Sequence, residues 1–129
     1  MRRPAPTLGD IDGLAKRTLN ELPRLFKQEL GPVVIRVEEL PDEATEAEMN
    51  LDSPFDLLGL YRGAPLPARS VSDPRPAIDF IFLYRQPILD YCGETGEDLP
   101  AVVRHVLIHE IGHHFGFSDD DMEQIERSS

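Results

Sequence analysis

The sequence predicts an α+β domain, a small sheet of three or four strands packed against helices. Three observations carry the prediction: an N-terminal stretch with apolar residues at helical spacing, short β-branched or apolar runs within 32–40, 57–62 and 77–84, and a strongly apolar helical segment at 99–115. At 129 residues the chain holds one core and not two. Residues 1–129 therefore read as a single domain, with 1–7 as a frayed tail.

From Thr7 to Leu30 the apolar residues Ile11, Leu14, Ala15, Leu19, Leu22, Leu25, Phe26 and Leu30 recur at threes and fours, the period of an amphipathic helix. Asp10 is its candidate cap. Pro23 interrupts the pattern, because proline removes a backbone bond and kinks or divides a helix. Gly31 and Pro32 end it. Pro32 to Leu40 then carries Val33, Ile35 and Val37 in alternation, a strand with one face toward a core. The acidic, proline-broken segment PDEATEAEMNLDSPF, residues 41–55, reads as a surface loop with a helical turn or two that can border a cleft.

Leu57 to Arg62 is a short strand and Gly63 to Pro67 a turn, followed by a proline-bearing connection from Arg69 to Pro76. Ala77 to Tyr84, with Ile78, Phe80, Ile81, Phe82 and Leu83, suits a central strand buried on both faces. Pro87 opens a short helix through Tyr91, and Gly93 and Gly96 lead to Asp98, the candidate cap of the last helix.

That last helix, Leu99 to Phe115, has apolar residues all round, so its polar residues need a reason. His109 and His113 are one turn apart, separated by about 6 Å of rise on nearly the same face, where two imidazoles can converge on one ion. Zinc takes a third protein ligand and leaves its fourth position to water when the site is catalytic. A left-handed Gly116 can end the helix and swing Asp119 back over the imidazoles, while Glu110 sits beside the open position to move a proton. Asp120 and Asp121 are rival ligands. Ser118 to Asp121 also fits a capping box that needs no metal. His105 lies too far from His113 to share one ion and reads as a supporting or core residue. His114 points about 100° away from His113 and reads as packing or surface.

The motif HEIGHHFGFSDDDM, with LLGLYRGAPLPARSV and FIFLYRQPIL upstream, resembles the family of very small bacterial zincin-like metallopeptidases, whose mark is an extended H-E-x-x-H-x-x-G-x-x-D pattern. The resemblance runs from about residue 10 to residue 123. It implies a minimal zincin fold, one zinc ion on His109, His113 and Asp119, and Glu110 as general base, and little about substrate; the peptidase reading itself expects a peptide or protein substrate. The metzincins are similar too, but they carry a third His where this chain has Asp119, and no Met-containing turn follows here.

Composition narrows the alternatives. A net charge of -11 and a pI near 4.6 oppose nucleic acid, whose phosphates an acidic surface repels. That weakens a reading as a metal-dependent endoribonuclease, a class that shares the H-x3-H-x5 spacing with a third His. Glu110 directly after the first ligand opposes it as well. Cys92 is the only cysteine, which rules out an intramolecular disulfide and makes a cytoplasmic setting the default expectation, with no signal or membrane segment in the chain. A non-enzymatic zinc module is the remaining alternative, although structural sites close the fourth position with another protein ligand. For a peptidase, Tyr61, Tyr84, His114 and Arg62 are candidate hydrogen-bond donors to the oxyanion. The strand around Leu58 to Arg62 is a candidate edge for an extended peptide.

Overall fold

A computed structural model describes residues 4–24, 27, 30, 33–63 and 78–116, without the side chain of His114. Helix α1 spans Leu8–Glu21, strand β1 Val33–Glu38, helix α2 Glu43–Glu48, strand β2 Gly59–Arg62, strand β3 Asp79–Tyr84, helix α3 Arg85–Thr95 and helix α4 Leu99–Phe115. A single 3-10 turn at Pro54–Asp56 precedes β2. The architecture is the expected α+β, with a sheet of three strands in the order β1-β3-β2.

β3 is central. It pairs parallel with β1, Ile35 opposite Ile81, and antiparallel with β2, Leu60 opposite Phe82. Its odd residues Asp79, Ile81 and Leu83 are buried; Ile81 and Leu83, at 0 % exposure, join Ile11 and Ala15 of α1, Ile88 of α3, and Val103 and Leu107 of α4 in one core. Expected burial on both faces holds only in part. Phe80 and Phe82 are half-buried on the opposite side, where their rings and that of Tyr84 run in a stack with centroids 6.3 and 6.4 Å apart. The reason is geometric: α4, the helix that chiefly covers β3, lies on the odd face of the sheet, where α1 packs on α4 and β1.

Pro23 divides the N-terminal helical stretch: α1 ends at Glu21, and the described residues Arg24, Lys27 and Leu30 beyond the proline are helical again. Thr7, not Asp10, caps α1: the Thr7 hydroxyl accepts from Asp10 N (3.1 Å), and the Asp10 carboxylate accepts from Thr7 N (2.8 Å) in return. Asp10 is thus the reciprocal member of a capping box. Leu22 leaves the helix with φ -62° and ψ 149°, the extended state that a following proline imposes on its neighbour. Pro23 therefore ends α1.

α2 confirms the helical turn expected in the acidic segment, with Asp42 accepting from Thr45 N at 2.8 Å. Arg62 at the end of β2 holds this turn: its guanidinium bonds both Glu48 carboxylate oxygens (3.2 and 2.7 Å) and the Thr45 hydroxyl (3.2 Å). α3 begins directly where β3 ends and is longer than expected, with Pro87 inside its first turn, where a missing N–H costs no helix bond. Arg85 ties this junction to the N-terminal segment, bonding Pro6 O (2.7 Å) and Glu39 (2.9 Å). Among the described residues no helix is long and apolar enough to cross a membrane. The expected turn at 63–67 beyond Gly63, and the connection 69–76, lie outside the described residues.

Candidate metal centre

α4 has the bounds the sequence predicts. Asp98 occupies the cap position, but its side chain makes no capping bond; its carbonyl accepts from Val102 N at 3.0 Å, and Pro100 sits in the first turn. At the other end Gly116 adopts φ 75° and ψ 23°, the left-handed state expected of it, and its N–H bonds back to the His113 carbonyl.

The helix is not buried all round. Ala101, His105 and His113 are exposed and His109 half-buried, so residues at i, i+4, i+8 and i+12 form an open stripe. The rest of the helix, from Val102 and Val103 to Ile111, is packed. A hydropathy reading misses the stripe because its members are one alanine and three imidazoles. His105 belongs to this open face and is not a core residue; its ring stacks beside that of His109 with centroids 6.5 Å apart.

On the stripe, His109 Nε2 and His113 Nε2 are 3.2 Å apart. Together with Glu110 they offer three ligand atoms within 4.8 Å of one another, a group that can hold a metal ion. The spacing suits zinc. Bonds of about 2.0–2.1 Å to two donors 3.2 Å apart open an angle of roughly 100°, near tetrahedral. Exposure of His113 also disfavours a pair of satisfied core histidines.

Glu110 is 8 % exposed and is held from the sheet: its Oε1 accepts from Tyr61 N at 3.0 Å. Burial pushes its carboxyl above the usual range, while the imidazoles of His113 and His109 and the Tyr61 N–H act in the opposite direction. The sheet comes this close because residue 59 is glycine. A Cβ there would stand 2.5 Å from Val106 Cγ1 and 3.5 Å from Glu110 Cγ. Sequence reasoning missed this contact, although a glycine inside a strand is the mark of a close backbone approach.

The pair His109 and Glu110 opens onto a cleft of about 600 Å³, where Leu58, Val102 and Val106 supply apolar lining and His105 a polar one. Of the candidate oxyanion donors, Arg62 is engaged with Glu48 and Thr45. Tyr84 is buried at 2 % exposure, and desolvation pushes its phenol up to about 12. The Tyr61 hydroxyl lies in the corner where a Cβ on Gly63 would run into the Asp79 carboxylate. Asp79, 1 % exposed, is a buried acid that the apolar run around it concealed. The side chain of His114, and all of Asp119, Asp120 and Asp121, lie outside the described residues.

A model of the zincin-like metallopeptidase family matches residues 30–128. The chain belongs to that family. The matched span takes in β1 through α4 and the segment carrying Asp119, and leaves out α1, which nevertheless packs on α4 and β1. No curated protein matches the chain. The matched span includes the two histidines and the glutamate that could hold a metal ion. They lie on α4, which packs against β2 and leaves its imidazole stripe open.

Proposed function

We propose that the protein is a zinc-dependent peptidase in which His109, His113 and Asp119 hold one zinc ion and Glu110 is the general base. The observation that supports it best is the 3.2 Å spacing of the two Nε2 atoms with a buried carboxylate in the same group, in a chain of a metallopeptidase family. When bound, zinc supplies Lewis acidity, polarising a peptide carbonyl and acidifying water.

The chain's own residues do the rest. His109 and His113 offer imidazole nitrogens and Asp119, six residues beyond His113, a carboxylate; the left-handed Gly116 between them allows the chain to turn back. Glu110 takes a proton from water as its oxygen adds to the carbonyl carbon, then hands that proton to the amine as the C–N bond breaks. Burial suits the carboxylate to both halves of that exchange, since it raises the proton affinity of a group that must accept and return a proton.

An extended peptide fits along β2. Among the described residues that strand is an edge of the sheet, and Tyr84 N bonds Leu58 O at 2.9 Å, so Leu58, Leu60 and Arg62 pair with β3 and the main-chain groups of Gly59 and Tyr61 face away from it. Strand addition there lays a substrate beside α4 and the cleft. Family membership favours this reading over a non-enzymatic zinc module or an endoribonuclease.

A peptide-library digest tests it, run with purified protein, with protein stripped by a chelator, and with stripped protein given zinc back. Cleavage lost on stripping and restored by zinc is the expected result. No cleavage by any sample across the library returns weight to a non-enzymatic module.

A further inference from the structure

We infer that the main-chain N–H of Tyr61 is the fixed point that orients Glu110, so that Tyr61 is a positioning residue through its backbone and not its phenol. The contact stands on geometry, and its kinetic consequence rests on the peptidase reading above.

The ladder between β2 and β3 alternates. Because Tyr84 N bonds Leu58 O, the N–H groups of Leu60 and Arg62 face β3 and that of Tyr61 faces away from it. An outward N–H on an edge strand ordinarily meets water or an incoming strand. Here it donates to Glu110 Oε1 at 3.0 Å, across 49 residues of sequence. The carboxylate is buried, where a hydrogen bond to an ionised acceptor is stronger than one between neutral groups. A carboxylate has two oxygens. With Oε1 fixed to the sheet, rotation of the carboxylate is restrained and its other oxygen is left for the side of the His109 and His113 nitrogens, whose group Glu110 completes. Glycine at 59 serves the same end, since only the absence of a Cβ lets β2 come near enough to Val106 and Glu110 for this bond to form. A peptide adding to β2 consequently finds the Tyr61 N–H already taken.

Two variants isolate the N–H. Tyr61→Ala removes the ring and keeps the amide hydrogen; Tyr61→Pro removes both, at an edge position where proline breaks no ladder bond. With zinc content matched, the proline variant should show kcat at least about tenfold below the alanine variant and KM within about threefold of it, as expected when a reacting group is misplaced. Equal kcat in the two overturns the inference. Amide hydrogen exchange on metal-free protein tests the contact without any activity. In Glu110→Ala the Tyr61 amide should exchange at least about tenfold faster than in the parent, while Leu60 and Arg62, bonded to β3, keep their protection. Unchanged exchange at Tyr61 overturns it as well. Should the parent cleave no peptide, the peptidase reading fails and the exchange measurement alone decides the anchor.

Discussion

His109 Nε2 and His113 Nε2 stand 3.2 Å apart on the open face of a helix that is otherwise packed. Two ring nitrogens at that distance make one imidazole–imidazole hydrogen bond or hold one ion between them. Their exposure leaves room for the ion. His109→Ala or His113→Ala should therefore reduce bound zinc from one per chain to background, because two remaining ligands hold it poorly. Elemental analysis of protein purified without added metal reads this directly. Full occupancy in either variant refutes the ligand assignment.

Asp119→Ala should weaken zinc binding by about tenfold or more, at least roughly 1.4 kcal/mol, with Asp120→Ala and Asp121→Ala affecting it less. Competition with a chromogenic chelator gives the three affinities. If all three variants match the parent, the acidic run after Gly116 caps the chain and does not hold metal.

Gly59→Ala should destabilise the fold by about 1–3 kcal/mol, the usual cost of forcing an added carbon into a packed contact. The added Cβ would meet Val106 Cγ1 at 2.5 Å. Val106→Ala in the same chain removes that methyl and should recover part of the loss. Denaturant titration of the single and double variants checks both; a neutral Gly59→Ala would show that β2 does not need glycine to lie against α4.

The pH dependence of the metal-free protein follows from Glu110. Its folded carboxyl titrates above the ordinary 4.5, raised first by burial, so the native state holds a proton that the unfolded chain has already released. Glu110 thus contributes stability that is fully present below about 4.5 and is lost as pH rises through its folded value. The difference in stability between parent and Glu110→Gln should fall across that window. Parallel stability curves for the two would contradict the sign of the shift.

Much of this was legible from residues alone, for reasons that also explain the failures. The bounds of α4 could be read because Pro100 tolerates only a first turn and Gly116 supplies a left-handed end. Its open stripe could not, since Ala101 and three histidines carry no clear hydropathic sign. The apolar period of the first helix runs on past Pro23 because Arg24, Lys27 and Leu30 are helical as well; period alone does not show the break, which the restriction that proline places on Leu22 sets. β3 was recognisable as the central strand from its apolar run. Which face stays half open depends on where α1 and α4 pack, a tertiary fact. Least legible was the hold of Tyr61 on Glu110. A main-chain donor leaves no trace in side-chain chemistry, and the two residues are 49 apart in the chain.

The central claim is that Glu110 moves the proton in peptide hydrolysis, and one measurement tests it most directly. Single-turnover cleavage of the best library peptide is compared between parent and Glu110→Gln at equal zinc occupancy. Glutamine keeps the size of the side chain and an oxygen for the Tyr61 N–H while removing the base. The expected result is unchanged zinc content with a rate lower by about 10² to 10⁴-fold, the usual worth of general-base assistance. Equal rates at equal occupancy would contradict the account.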